Sequence, residues 1–506
     1  MSLNQNSPLA ELKIRLAELS DLRAAAAVLS WDQMALMPPG AGAARARQLA
    51  TMERLAHEKA TDPGLGRLLE ELQPLAGSLS DDSPDAALIR VATRDYEREV
   101  KVPPKFTAEF SEHTSRTYEA WAKARAEKNF RLVQPLLEKT LDYSRQLANF
   151  YPGYQHIADP LIDGLDEGLT VATIRPLFAQ LRPELTALVR EITAQPAPDD
   201  SCLKQHFPEA DQWRFGVSVA QQMGYDFNRG RQDKSPHPFT TSFSIDDVRI
   251  TTRIKEDRLS EALFSTIHES GHALYEQGID PVWEATPLAS GTAMGVHESQ
   301  SRLWENLVGR SRHFWEYFYP KLQAVFPQQL GRVERETFYR ALNKVERSLI
   351  RTDADEVTYN LHVMIRFDLE LAMLEGKLAV ADLPAAWNER YRSDLGITPP
   401  DDSLGVLQDM HWYSGTIGGY FQSYTLGNIL SAQFFEAALA AHPQIPAEIA
   451  AGRFQTLHGW LKEHIYQYGR QLSGTEIVQR ATGKPITIEP YVRYLKSKYG
   501  ELYALN

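Results

Sequence analysis

Three residues that could hold and use a metal ion stand in one five-residue stretch, H-E-x-x-H, formed by His268, Glu269 and His272. On an α-helix, residues four apart share a face and lie about 6 Å apart along the axis, so both imidazoles can reach one ion. Glu269 follows the first histidine and points to the neighbouring side of the helix, where it can accept a proton from a water molecule at the metal. The spacing therefore predicts a metal pair with Glu269 as the general base.

A catalytic zinc site takes three protein ligands and leaves one position open, so a further ligand is needed. Glu276 continues the helical ladder but lies about 9 Å along the axis from the histidine pair, and we interpret it as a solvated surface residue. Gly278 occupies the place of a third histidine six residues after His272, which excludes the metzincin pattern. A glutamate from a following helix remains, and of Glu298 and Glu305 we favour Glu298.

The residues around the motif have helical periodicity, with an apolar stripe formed by Leu263, Phe264, Ile267, Leu274 and Tyr275. Gly271 is a weak helix former; a glycine beside two candidate ligands often marks a close approach of another segment, and the alternative is that it is simply tolerated. Before this helix, β-branched and aromatic residues alternate with polar ones in 239–244 and 246–253, which predicts a β-hairpin. Its edge could pair with extended substrate; a purely structural hairpin is the alternative.

Most of the remaining chain has helical periodicity interrupted by proline-containing breaks. The predicted helices cover residues 9–33, 43–59, 85–100, 105–128, 130–150, 173–193, 210–223, 299–314, 332–349, 357–374, 383–391 and 490–505. No break is long enough, or rich enough in Gly and Ser, to be an interdomain linker. The sequence therefore predicts a mainly α-helical fold with a small β-hairpin or sheet next to the metal helix.

The composition is typical of a soluble globular protein, with 43% hydrophobic and 24% charged residues among 506. A formal net charge of −12 and the lack of a basic run argue against nucleic-acid and anionic-membrane partners. The sequence has neither a signal-peptide pattern nor an apolar run of about 20 residues. Its single cysteine, Cys202, fits a reducing compartment, so we expect a cytoplasmic protein.

Several motifs follow one another in a characteristic order over nearly the whole chain. They are Ser30-Trp-Asp-Gln33, Met37-Pro-Pro-Gly-Ala41, His237-Pro-Phe239, Asp247-Val-Arg249-Ile-Thr-Thr252, His268 to His272, His297-Glu298-Ser-Gln300, Ile350 to Asp355, Gly405 to Trp412 and Tyr494 to Gly500. Together they resemble the thermostable carboxypeptidase (carboxypeptidase Taq) family of zinc metallocarboxypeptidases.

The resemblance implies a mostly helical fold similar to angiotensin-converting enzyme and neurolysin, as one catalytic domain over residues 1–506 whose two halves flank a deep groove. It also implies release of single C-terminal amino acids from peptides with broad specificity, and a homodimer. By position, it assigns His268, His272 and Glu298 to the metal and makes Glu269 the base. We expect one zinc ion per chain, although a His/His/Glu set also accepts cobalt or manganese.

Further residues in the second half of the chain suit peptide hydrolysis. The tetrahedral oxyanion needs a donor besides the metal, and the resemblance implies Tyr420 for this role, with His411 as a second donor to substrate. A free carboxylate is best recognised by a bidentate arginine. Arg351 and Arg249 lie in matched motifs and are the candidates, with Arg351 slightly favoured. The alternative for either arginine is an ion pair with Asp353, Asp355 or Asp247.

Two other functions stay open from the sequence. One is a zinc endopeptidase or aminopeptidase of the same fold. Against the aminopeptidase, Gly291-Thr-Ala-Met294 only partly matches the Gly-x-Met-x-Asn substrate loop usual there. The other, from a different class, is a non-catalytic helical interaction protein with an accidental motif.

Overall fold

The periodic apolar stripes of the sequence form α-helices along most of the chain in the computed structural model, which describes residues 7–80 and 83–505. The helices are α1 (Pro8–Ala35), α2 (Gly42–Ala60), α3 (Pro63–Ser78), α4 (Pro84–Lys101), α5 (Pro104–Ala126), α6 (Gln134–Asn149), α7 (Asp159–Asp163), α8 (Val171–Thr193), α9 (Glu209–Met223), α10 (Leu259–Gly278), α11 (Met294–Arg302), α12 (Arg312–Val325), α13 (Pro327–Leu330), α14 (Arg335–Leu342), α15 (Tyr359–Leu374), α16 (Leu383–Leu395), α17 (His411–Ser414), α18 (Phe421–Ala441), α19 (Ile445–Ala450), α20 (Gln455–His464), α21 (Gly474–Thr482) and α22 (Glu489–Tyr503). The predicted mainly helical fold is confirmed. Within the described residues, no helix combines the length and the apolar character needed to cross a membrane.

The chain divides into two units, each built from three separate stretches. Over the described residues, unit 1 falls within Met1–Val100, Asp200–Leu342 and Phe434–Pro485, and unit 2 within Lys101–Asp199, Asn343–Gln433 and Ile486–Asn506. The expected single catalytic domain with two halves flanking a groove stays a prediction.

In unit 1, the apolar faces of α1, α3 and α4 form a core with residues that flank the hairpin turn and the end of α10. Its members include Leu9, Leu12, Leu16, Leu65, Leu68, Leu69, Leu72, Leu88, Ile89, Val91, Ile245, Ile279, Trp283 and Leu288. Burial of each such aliphatic side chain contributes roughly 1.5–3 kcal/mol. Because Ile279 directly follows α10 and Ile245 lies in the hairpin turn, this core anchors both α10 and the hairpin.

The helix α3 lies outside the predicted helices because Gly64, Gly66 and Pro74 interrupt its periodic pattern. It forms because Pro63 suits a first turn and the Asp62 carboxylate accepts the Gly64 N–H at 2.7 Å. A side chain at Gly66 would overlap the ring of Tyr96, so this glycine allows α3 to pack closely.

A small sheet in unit 1 consists of β1 (Gln232–Lys234), β2 (Thr240–Ser244) and β3 (Asp247–Thr252), in the order β1-β3-β2. The predicted hairpin is confirmed as the antiparallel pair β2 and β3. The strand β1, which pairs in parallel with β3, was not predicted, because three residues carry too little alternation to be recognised. The helix α10 packs on β2 and β3, and α1 packs beside the edge strand β2.

In unit 2, α15 is buried on all its faces and packs against α8 and α16. A helix enclosed in this way lies in the protein interior. It nevertheless carries four buried polar side chains, Asn360, His362, Arg366 and Glu370. Buried polar groups are costly unless they are paired, so partners from neighbouring segments must meet them.

The helices predicted over 332–349 and 299–314 have different bounds in the structure. The helix predicted over 332–349 ends at Leu342, because the next N–H groups find side-chain acceptors: Val345 N–H donates to the Tyr503 hydroxyl at 2.8 Å and Glu346 N–H to Asp355 at 3.1 Å. The helix predicted over 299–314 already begins at Met294 and passes into a π-helical segment, Leu303–Val308.

Candidate active site

The helix α10 carries the H-E-x-x-H residues and is enclosed by α9, α11 and the strands β2 and β3. His268 and His272 lie one turn apart, with ring centroids separated by 5.0 Å. The Oε2 atom of Glu298, on α11, lies 3.7 Å from His268 Nε2 and 3.4 Å from His272 Nε2. The structure thus brings together the two imidazoles and the favoured glutamate.

The close approach of α11 to α10 depends on Gly271. A Cβ atom at this position would lie 2.7 Å from both the Gln300 carbonyl oxygen and the Ser301 Cα atom, well inside the normal separation of non-bonded atoms. Without a side chain there, the backbone of α11 can pass against α10 and bring Glu298 near the two histidines. The close contact expected at this glycine is confirmed.

The three groups fit a divalent metal ion. One atom each from His268, His272 and Glu298 can be chosen so that all three lie within 4.8 Å of one another. Tetrahedral ligands held about 2.0–2.2 Å from zinc are roughly 3.4 Å apart, close to the separations of 3.4 and 3.7 Å found here. Two imidazoles and one carboxylate also match the ligand types of catalytic zinc sites, which keep a fourth position open.

Arg302 balances the acidic side of this cluster. Its Nε donates to Glu298 Oε1 at 2.7 Å, and its Nη1 donates to Glu305 Oε2 at 3.1 Å. Burial by itself would raise the pKa of Glu298, but Arg302 and His268 hold it well below its usual range. Glu298 is therefore an anion that uses one oxygen for Arg302 and directs the other toward the imidazoles.

Glu305, the other glutamate considered as a ligand, instead bonds to the far side of a histidine. Its Oε2 lies 2.8 Å from His268 Nδ1. Burial opposes its ionisation, but Arg302 and His268 lower the pKa of Glu305 to about 2. A carboxylate on Nδ1 fixes the tautomer that presents a free Nε2 to a metal. Glu305 follows Glu298 by seven residues, about two helical turns, so both lie on the same face of the helical segment. This spacing was a signal that Glu305 also lies near the histidines.

The interpretation of Glu276 as a solvated surface residue is wrong. Glu276 is 5% exposed, and its Oε1 lies 2.7 Å from Nε2 of His297. His297 Nδ1 in turn lies 2.6 Å from Nδ1 of His272. The contact depends on His297, the residue before Glu298 on α11, so the spacing along α10 alone does not reveal it. Burial lowers the pKa of His272 to about 3, so its imidazole is neutral, as a metal ligand must be.

Glu269 is buried, and its carboxylate is held by the edge strand. The Thr240 hydroxyl on β2 lies 2.6 Å from Glu269 Oε2 and donates to it. Burial raises the pKa of Glu269 above its usual value. A base whose proton affinity is raised accepts a proton from water more readily, which suits the predicted role. Only the tertiary structure could identify Thr240, because nothing in its local sequence points to a carboxylate.

Arg249 on β3 forms an ion pair with Asp247, which was the alternative to a role in substrate binding. Its Nε and Nη2 both lie 2.8 Å from the two oxygens of Asp247. Its guanidinium carbon also lies 4.3 Å from the ring centroid of Trp31 and 4.9 Å from that of Phe243. The side chain thus joins β3, β2 and α1 through a charged pair and aromatic contacts.

Arg351 lies in unit 2 and is 7% exposed. Its ion-pair partner is neither Asp353 nor Asp355 but Asp409, whose Oδ2 lies 2.7 Å from Arg351 Nε. Arg366 binds the same oxygen at 3.0 Å. Burial would lower the pKa of Arg351, but Asp409 raises it well above its usual value, so the guanidinium stays charged. Two cations thus share one carboxylate.

His411 and Tyr420 lie beside this arginine pair in unit 2. His411 Nδ1 bonds to Asp409 Oδ1, and its Nε2 lies 3.2 Å from the Tyr424 hydroxyl. The ring of Tyr420 packs on His411 at a centroid distance of 5.2 Å, and Tyr420 is 36% exposed. Gly419, just before it, has φ = +89° and no room for a side chain against Leu161. The Gly-Gly turn therefore sets the position of Tyr420.

The predicted site residues thus form two groups. His268, Glu269, His272 and Glu298 converge in unit 1, where Arg249 lies on the neighbouring sheet. Arg351 and His411 share Asp409 in unit 2, and Tyr420 packs on His411.

A buried glutamate next to two imidazoles and a carboxylate that fit one divalent ion, on a mainly helical fold, is typical of a metallopeptidase. Comparison with known proteins gives the same class. The family model of carboxypeptidase Taq (M32) metallopeptidase matches residues 11–499. The thermostable carboxypeptidase 1 of Thermus thermophilus is 40% identical over 499 residues, covering 96% of this chain and 97% of that protein. The carboxypeptidase 1 of Bacillus subtilis is 35% identical over 491 residues, covering 97% of each.

Among solved structures, the M32 carboxypeptidase from Deinococcus radiodurans R1 has a TM-score of 0.96 and 48% identity, covering 99% of this chain and 100% of that one. The chain belongs to the carboxypeptidase Taq (M32) family of metallopeptidases. It is a metal-dependent carboxypeptidase, as the sequence motifs predicted, and the alternative of a non-catalytic interaction protein is not supported.

Proposed function

We propose that this chain removes single amino acids from the carboxyl ends of peptides with broad specificity, using one zinc ion held by His268, His272 and Glu298. The observation that supports this proposal is the convergence of these three groups beside the buried carboxylate of Glu269. A cobalt or manganese ion would suit the same ligands, so the identity of the ion is part of the proposal.

Glu269 is the general base in this proposal. A divalent ion bound by these ligands would lower the pKa of water toward neutrality and polarise the peptide carbonyl. Glu269 accepts the proton of the attacking water molecule and passes it to the leaving amine. The hydroxyl of Thr240 holds the carboxylate in one orientation, at 2.6 Å from Oε2, which keeps the base ready for this transfer.

Arg351 is the better candidate for the substrate carboxylate. Arg249 and Asp247 form a one-to-one pair, whose charges cancel. By contrast, Arg351 and Arg366 share the single carboxylate of Asp409, which leaves this cluster with one excess positive charge. An uncompensated guanidinium charge attracts an anion such as a peptide carboxylate. Arg249 stays the second candidate.

Tyr420 and His411 supply hydrogen-bond donors in this proposal. The Tyr420 hydroxyl stabilises the oxyanion that forms as water attacks the carbonyl, a role that typically lowers the barrier by about 3–4 kcal/mol. His411, fixed by Asp409 through Nδ1, donates from Nε2 to the substrate. The partial exposure of Tyr420 leaves its ring accessible to a ligand.

The decisive experiment incubates the zinc-loaded protein with three versions of one peptide: unmodified, N-acetylated and C-amidated. Mass spectrometry over time should show stepwise loss of one residue at a time from the carboxyl end of the first two, and an intact C-amidated peptide. Loss of N-terminal residues or internal cleavage would contradict the proposal in favour of an aminopeptidase or endopeptidase.

We also propose a homodimer in the cytoplasm that takes peptides with a free C-terminus as substrates and binds neither nucleic acid nor membranes. The dimer is supported by family resemblance, and the location by the single cysteine, Cys202, which is buried. Light scattering coupled to gel filtration tests the homodimer, whose expected mass is twice that of the chain. Fractionation of the source cells tests the location.

A further inference from the structure

A continuous line of hydrogen-bonding groups leads from the candidate metal ligand His272 to a buried carboxylate. His272 Nδ1 lies 2.6 Å from His297 Nδ1, and His297 Nε2 lies 2.7 Å from Glu276 Oε1. The same carboxylate oxygen accepts the Gly291 N–H at 3.0 Å. The line therefore begins and ends on α10 and passes through one imidazole on α11.

The positions of the protons in this line follow from its two ends. A neutral histidine that uses Nε2 for a metal carries its proton on Nδ1, so His272 donates to His297. Nδ1 of His297 must then be a bare acceptor, and the single proton of this ring sits on Nε2. The Glu276 Oε1 atom, which already accepts the Gly291 N–H, accepts that proton in a hydrogen bond as well. Each group has one role, and the carboxylate at the end determines all of them.

We propose that Glu276 and His297 are positioning residues that hold His272 in the tautomer presenting Nε2 to the metal and thereby strengthen metal binding. This inference rests on the proposed function, because it requires His272 to be a ligand. Partners on the far nitrogen of a ligating histidine typically change metal affinity by about 10–100-fold.

The two metal histidines are then supported differently. Glu305 bonds directly to His268 at 2.8 Å, whereas the carboxylate of Glu276 acts on His272 through a neutral ring. A neutral imidazole is a weaker acceptor than a carboxylate, so His272 is the less strongly polarised ligand.

Simple packing does not account for Glu276. A carboxylate that is 5% exposed costs free energy of desolvation, which an aliphatic side chain at this position would avoid. Its hydrogen bonds to His297 and Gly291 offset that cost, and they are aimed along the line to the ligand. A role toward His272 explains why a charged group is placed here.

The test measures zinc affinity by competition with a chelator in the full-length wild-type protein and in the variants His297→Phe and Glu276→Gln. His297→Phe keeps a ring but removes both nitrogens, and we expect zinc to bind about 10–100-fold more weakly. Glu276→Gln keeps an acceptor oxygen but loses the charge, so it should weaken binding in the same direction by a smaller factor. If His297→Phe does not fold, Glu276→Gln alone decides the outcome.

Tyr275→Phe is the matched control. Its ring packs on His297 at a centroid distance of 5.1 Å, and its hydroxyl accepts the Thr292 N–H at 3.2 Å, outside the line. This variant should bind zinc like the wild type. Thermal unfolding in EDTA is measured in parallel, because a merely structural role would lower the metal-free midpoint and leave the zinc affinity unchanged.

Nitrogen-15 NMR of the histidine-labelled zinc protein provides a second readout, and it should find the proton of His297 on Nε2. If the wild-type protein binds zinc and both variants have zinc affinities within twofold of the wild-type value, this inference is overturned and the proposed function stands. Wild-type protein that binds no divalent ion would overturn the proposed function, and this inference with it.

Discussion

At the scale of single residues, each candidate metal ligand has a partner that fixes its orientation. His268 bonds to Glu305, Glu298 bonds to Arg302, and His272 bonds to His297. A ligand whose outer atoms are held in this way loses little conformational freedom when an ion binds. We therefore expect that a residue used only in catalysis can be replaced without loss of the metal ion.

Replacing the base tests this separation. Glu269→Gln should retain its zinc, because Glu269 is not among the three converging ligands, and should lose about 10²–10⁴-fold in kcat, the usual contribution of a general base. Metal content is measured by elemental analysis and kcat with an N-blocked dipeptide. Loss of zinc from this variant would instead make Glu269 a ligand.

The two arginines give a matched pair for substrate recognition. Arg351→Ala should lower kcat/KM for blocked dipeptides by about 10–100-fold, since charge-assisted hydrogen bonds contribute about 1.5–3 kcal/mol. Arg249→Ala breaks the Asp247 pair and the contact with Trp31, so it should lower thermal stability with a smaller effect on kcat/KM. Unchanged hydrolysis in both variants would remove the carboxylate-anchor hypothesis.

At the scale of secondary structure, the site depends on how closely two helices approach. Gly271 admits the backbone of α11 against α10, and the π-helical segment after α11 carries Glu305 to His268. The Gly309 N–H bonds to the Trp304 carbonyl at 2.9 Å, five residues back, as π-helical turns require. Such turns are frequent at functional sites, and here one lies between the ligand-bearing part of α11 and α12.

Substituting this glycine should separate the helices. Gly271→Ala places a methyl group against the Gln300 carbonyl and Ser301, and overpacking of this kind costs about 1–3 kcal/mol. We expect a lower free energy of unfolding and weaker zinc binding, measured by urea denaturation and chelator competition.

Gly500→Ala in α22 is the control, because a Cβ atom there meets open space. It should leave zinc binding unchanged and increase stability by about 0.5–1 kcal/mol, since alanine favours helix. Equal behaviour of the two variants would refute the account of Gly271.

At the scale of the whole molecule, interior polar groups link stability to pH. Glu370 on α15 is 1% exposed, accepts a hydrogen bond from Trp412 Nε1 at 2.6 Å, and has a pKa raised by burial to about 8. Its ordinary value is 4.5, so between these two values the folded state binds more protons than the unfolded state. The stabilising effect of this proton is complete below pH 4.5 and is lost as the pH rises toward 8.

Glu370→Gln should remove this part of the pH dependence. The amide keeps an acceptor for Trp412 but does not ionise. The difference in free energy of unfolding between the variant and the wild type should therefore change in favour of the variant from pH 6 to pH 8, by up to ~1.4 kcal/mol per pH unit. Urea denaturation at both values measures it. Glu389→Gln, on the exposed face of α16, should keep the wild-type dependence; an identical dependence in Glu370→Gln would contradict the role of burial.

Several features of this protein could be read from the sequence because they depend on spacing along one helix. The pairing of His268 and His272, the helical course of most of the chain, and the β2–β3 hairpin follow from periods of about four and two residues. The motif order was enough to recognise the carboxypeptidase Taq family. Glu298, favoured over Glu305 from spacing and family resemblance, does lie with its Oε2 near both imidazoles; its role as a metal ligand stays a prediction.

Other features were decided by tertiary structure alone. The burial of Glu276, the partner of Arg351 and the hydroxyl of Thr240 on Glu269 all depend on contacts between segments distant in sequence, whose energies no local pattern encodes. The same is true of β1, which exists only because β3 offers a partner. Local sequence determined which groups were able to bind a metal or a proton, whereas packing determined which of them were desolvated and brought within hydrogen-bond distance.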